Sequence, residues 1–76
     1  MFQKHTEGGY TLAVPGIEMK TLVHGERTLM TEFLLQKGSR LPQHSQRQEQ
    51  TGYLVNGRIR LSIGSEENDV MPGDSW

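Results

Sequence analysis

Tyr53-Leu54-Val55-Asn56-Gly57-Arg58-Ile59-Arg60-Leu61-Ser62-Ile63 is the stretch that decides the class of fold. Two runs of β-type residues flank Asn56-Gly57, and Asn-Gly is favoured in a two-residue type I′ hairpin turn, where both central residues need positive φ. The spacing predicts a hairpin. Beyond the turn, Ile59, Leu61 and Ile63 alternate with Arg58, Arg60 and Ser62. Alternation of this kind gives a strand one apolar and one wet face. It sends Ile59, Leu61 and Ile63 inward and both arginines outward.

Towards the N-terminus the same grammar repeats. Tyr10, Leu12 and Val14 occupy every second position between Gly8 and Val14, and Pro15-Gly16 closes that run. Ile17 to Val23 is a weaker strand that ends at His24-Gly25-Glu26. Thr28 to Leu35 carries Leu29, Met30, Phe33, Leu34 and Leu35, which fit either a strand or one face of a helix. Its shortness and the glycines on either side favour a strand. Towards the C-terminus a polar turn spans residues 64–69, followed by Val70-Met71 and the turn Pro72-Gly73-Asp74. Short strands separated by turn residues at regular spacing indicate an all-β sandwich or barrel.

Composition narrows the functions available. The chain of 76 residues has room for one small domain, of which roughly 60% of the unfolded surface would be buried. Only 33% of residues are hydrophobic and there is no cysteine, so the core is small and no disulfide reinforces it. A metal, a partner subunit or further chain would supply the missing stability. Thiolate metal sites and cysteine nucleophiles are excluded. The formal charge is -1 with scattered Lys and Arg, which gives no footprint for nucleic acid. No stretch approaches the roughly 20 apolar residues of a membrane span, and Met1 to His5 lack a signal-peptide pattern. A cytoplasmic protein is expected. No glycine-rich run leads into a helix, so no phosphate cradle is expected. Ser45 directly follows His44, so a strand would point the two apart and no serine triad can be argued.

Between the third strand and the hairpin lies Gly38-Ser39-Arg40-Leu41-Pro42-Gln43-His44-Ser45-Gln46-Arg47-Gln48-Glu49-Gln50, unusually polar for its position. His44, Gln46 and Gln50 are separated by even numbers of residues, and even spacing in an extended chain sends side chains to one face. A bend over residues 47–49 would bring Gln50 beside the other two. Imidazole nitrogen and amide oxygen both suit borderline divalent metals such as zinc, manganese, iron or nickel. A solvated loop with one histidine is the plain alternative on spacing alone. His5 and His24 fall outside this segment and read as exposed. Glu49, next to Gln50, would face away from the other donors. Met19, Met30 and Met71 fit flexible core filling, and Phe33 and Tyr53 fit packing.

The segment from Gly38 to Gly57 resembles the first motif of the cupins. In that pattern a glycine is followed after five residues by His-x-His, then by three or four residues, a Glu or Gln, six residues and a glycine. Here Gly38, His44, Gln46, Gln50 and Gly57 hold those positions. The run Glu49-Gln50-Thr51-Gly52-Tyr53-Leu54-Val55-Asn56-Gly57 is similar to one common in small one-domain cupins. Pro72-Gly73-Asp74-Ser75-Trp76 resembles the opening of the second cupin motif. The resemblance implies one domain over residues 1–76, a double-stranded β-helix or jelly-roll barrel lacking its C-terminal strands, with Trp76 buried in an intact barrel and exposed here. It implies a divalent transition metal on His44, Gln46 and Gln50, with a fourth ligand histidine beyond Trp76. It also implies a small polar or sugar-acid-like ligand, and either a homodimer or a complementary C-terminal fragment. Gln46 stands where the family has its second histidine, which weakens the donor set. A metal-poor binding or structural module, without catalysis, is the competing expectation.

Overall fold

The computed structural model describes residues 2–41 and 50–76. Among these the protein is all-β, with two antiparallel sheets and no helix. The chain divides into two compact units, residues 1–44 and residues 45–76.

The first unit holds a three-stranded sheet in the order β1-β2-β3, with β1 over Thr11–Val14, β2 over Ile17–His24 and β3 over Leu29–Leu35. β1 starts later than the alternation from Gly8 suggested. Gly9 takes φ 92°, which interrupts the extended run just before it. Val14 pairs with Ile17 across Pro15-Gly16, and Gly16 takes φ 84°. Proline followed by a left-handed glycine is the combination a type II turn demands.

β3 is a strand along its whole length, pairing with β2 from Ile17↔Leu35 to His24↔Leu29. The helical option for this segment is thereby excluded. Within this ladder the register shifts between Thr21 and Val23, leaving Leu22 as an extra residue. Such a bulge breaks the period of two. Leu22 and Val23, neighbours in sequence, are accordingly both half-buried. This is why the alternation of β2 looks weak when read from sequence.

A polar cluster ties the segment before β1 to this sheet. Lys20 Nζ donates to the Thr6 carbonyl at 2.8 Å and to Thr6 Oγ1 at 2.7 Å, and lies 5.2 Å from the centre of the Tyr10 ring. The Tyr10 hydroxyl donates to the Glu32 carboxylate. That hydrogen bond, then desolvation and the nearby charges of Glu32, Glu7 and Glu18, raise the Tyr10 pKa above the ordinary tyrosine value.

The second unit holds a two-stranded hairpin, β4 over Ile59–Ile63 and β5 over Glu66–Val70. Two sequence expectations are corrected here. The stretch 66–69 was expected to be a turn but is strand. Its residues, Glu66-Glu67-Asn68-Asp69, have low β propensity. Their pairing is imposed by the apolar β4 opposite, through a two-residue loop at Gly64-Ser65 in which only Gly64 has positive φ, at 60°. That is the pattern of a II′ hairpin.

The second correction concerns Asn56-Gly57. Residues 53–55 do not pair with β4. They pair with the end of the chain instead, through the bridge Tyr53↔Ser75 and backbone bonds linking Gly52 with Trp76 and Leu54 with Gly73 and Asp74. Gly57 has φ 87°, but among the described residues no non-glycine has positive φ, so Asn56 does not complete a type I′ turn. Asn56 Oδ1 accepts from the Gly57 N–H at 2.9 Å. The Asn-Gly pair bends the chain from one ladder to another.

The core is sparse. Ile17 and Val70 are the buried hydrophobic side chains among the described residues, while Phe33 is 44% and Tyr53 64% exposed. Met30 and Met71 are exposed as well. The packing roles expected of these four are not seen. Their hydrophobic character suggested packing, but which face gets covered depends on neighbours that a period of two does not reveal.

Candidate functional site

His44 and Gln46 lie outside the described residues, so the site is approached from its third member. Gln50 is exposed and stands two residues before Gly52, where the ladder with the chain end begins. The anchoring of that ladder is well defined. The Gly52 N–H donates to the Trp76 carbonyl at 2.9 Å, and the Trp76 N–H donates back to the Gly52 carbonyl at 3.1 Å. Two residues that exchange both bonds are directly opposite one another, with side chains on one face.

Because position 52 carries no side chain, the Trp76 indole lies across it. A Cβ there would overlap the Trp76 ring. The next pair in the ladder is held by a turn. The Asp74 N–H donates to the Met71 carbonyl at 3.0 Å, and Asp74 Oδ2 accepts from the Met71 N–H at 2.8 Å. Pro72 and Gly73, with φ 93° at the glycine, supply the geometry. Gln50 is thus carried on a chain segment that two backbone ladder bonds and an aromatic ring fix immediately downstream.

The two other histidines belong to the first unit. His5 Nε2 lies 3.1 Å from Glu7 Oε1 on the exposed segment before β1, and His24 is exposed at the end of β2. Among the described residues no three His, Asp or Glu side chains come together in a metal-binding group. Arg58 and Arg60 reach Asp69 at 3.6 and 3.3 Å. Arg60 and Asp69 are cross-strand partners, so this pair belongs to the ladder face opposite Ile59, Leu61 and Val70.

On the Leu61 face of the hairpin an open concavity of about 350 Å³ runs from Leu61 and Ile63 past Asn68 and Val70 to Ser75 and Trp76. The signal for it was present in sequence as the glycine at 52 and the lone tryptophan at 76. Their direct opposition could not be read without the register.

The architecture and this surface define an all-β protein of two antiparallel sheets. No model of a known protein family matches the chain, and no curated protein matches it either. Among the described residues no helix is long and apolar enough to cross a membrane.

Proposed function

We propose that the chain is a cupin-type barrel segment that binds a divalent transition metal, with His44 as nitrogen donor and Gln50 as oxygen donor. Gln46 is the third donor. One observation carries the reading: Gln50 is exposed at the head of a segment whose position is fixed by the Gly52–Trp76 pair. The donor set of one imidazole and two amides suits zinc, manganese, iron or nickel. Bound there, the metal would supply Lewis acidity to a small polar or sugar-acid-like ligand. His44 would donate through neutral imidazole and orient the ion.

The exposed apolar residues of β3 support assembly, either with a second copy or with a complementary segment, since strand edges and apolar faces left open invite pairing. The second reading is a metal-poor binding or structural module. The amide at position 46, where an imidazole would bind more strongly, favours it.

A Gln46→His variant separates the two. Restoring imidazole is expected to tighten zinc or nickel binding about tenfold, or about 1.4 kcal/mol, in a competition titration against a chelator. An unchanged affinity would mean that position 46 does not face the ion, and the three-donor site would be abandoned.

A further inference from the structure

We propose that the concavity beside Trp76 binds the ring of a neutral sugar or cyclic polyol, with the indole as its apolar wall. The residues that form it are distinct from His44, Gln46 and Gln50, so the inference stands apart from the metal reading.

The Trp76 backbone is held by two main-chain bonds to Gly52, its indole lies over position 52, and the residue is 39% exposed, so an aromatic face is accessible beside the hairpin. Leu61 and Ile63 continue that apolar surface along β4. Leu61 pairs directly with Asn68, which puts the Asn68 amide on the same face of the hairpin. Asn68 and Ser75 border the concavity with a donor and an acceptor each, and among the described residues no hydrogen bond is seen to either side chain. An apolar wall with a few convergent polar groups is the usual composition of a small-molecule site, and about 350 Å³ falls in the range of such sites. A sugar ring matches it, because its C–H faces are apolar and its rim carries hydroxyls.

Charge selects among sugars. The charged residues bordering the concavity are Asp69 and Asp74, and no Lys, Arg or His borders it among the described residues. Arg58 and Arg60, which might have met a carboxylate, are engaged with Asp69 on the opposite face of the ladder. A sugar acid would meet the Asp74 carboxylate with no cation bordering the concavity among the described residues, so the neutral ring is preferred.

Trp76 is the chain's single tryptophan, so its emission reports on this surface alone. The test titrates chelator-treated protein with glucose, galactose and mannose, and with glucuronate at matched ionic strength. At least one neutral sugar is expected to shift the emission saturably, glucuronate to bind several-fold more weakly, and Asn68→Ala to weaken the neutral sugar about tenfold. Asn68 is exposed, and circular dichroism of the variant checks that the hairpin persists. No saturable shift with any sugar, equal binding of glucuronate, or an Asn68→Ala variant that binds like the wild type would each overturn the proposal. Repeating the titration with zinc present distinguishes the two readings, because a failure of metal binding leaves the metal-free sugar result intact.

Discussion

Replacing Ile17 by alanine is expected to cost about 2–5 kcal/mol, the range for truncating a buried isoleucine where the surroundings cannot close the gap. Ile17 is fully buried and it opens β2, pairing with Val14 on one side and Leu35 on the other. It is therefore the residue at which all three strands of the first sheet meet. Domains are stable by only about 5–15 kcal/mol in all, and this one has few buried side chains to share the loss. The expected result is a three-stranded sheet that melts at much lower denaturant concentration, followed by far-UV circular dichroism. Truncating Leu12, which is 70% exposed on β1, is expected to have little effect and serves as the control. Equal losses from the two variants would show that Ile17 is not where the sheet is anchored.

Gly52→Ala is the second large effect. The added methyl would occupy space now held by the Trp76 indole, so the ring must leave or the ladder between 52–54 and 74–76 must open. Overpacking of this kind costs about 1–3 kcal/mol. For a domain of this size that corresponds to a fall in melting temperature of about 4–8 °C for each kcal/mol. The spectroscopic outcome is more specific than the thermal one. Expulsion of the indole into water shifts tryptophan emission to the red, and this chain has only one tryptophan to report it. Gly8→Ala, where an added Cβ meets nothing within 4 Å and the backbone is not left-handed, is the comparison that separates ring displacement from the cost of losing a glycine. An alanine at 52 that leaves the emission unchanged would mean that the ring does not lie across that position.

Turn chemistry explains why much of this architecture was legible in sequence. Pro15-Gly16 and Pro72-Gly73 each fix φ at one residue and allow positive φ at the next, so these turns follow from residue identity alone. The strand character of 29–35 was legible from its shortness and the flanking glycines, although its period also allowed a helix. What failed was pairing. Asn56-Gly57 has the sequence of a tight hairpin, yet residues 52–54 find better partners at 74–76, a choice made by tertiary contacts. Glu66 to Asp69 show the same override in reverse, because polar residues with low propensity became strand when an apolar partner lay across a two-residue loop. The bulge at Leu22 hid its own strand by shifting the alternation by one residue.

The candidate site was legible as a donor pattern in the even spacing of His44, Gln46 and Gln50. Which side chains converge is a question of backbone path through residues 42–49, and spacing alone does not fix that path. Gly52 and Trp76 made the opposite case. Both stood in stretches that carried the resemblance, but their direct opposition became visible only with the register.

Metal content of the purified protein, measured by elemental analysis after identical dialysis of wild type and His44→Ala, is the most direct test of the proposed site. The site requires stoichiometric zinc, manganese, iron or nickel in the wild type and its loss in the variant, with the β-sheet circular dichroism of both unchanged. The same metal content in the two proteins, whether full or close to none, would contradict it.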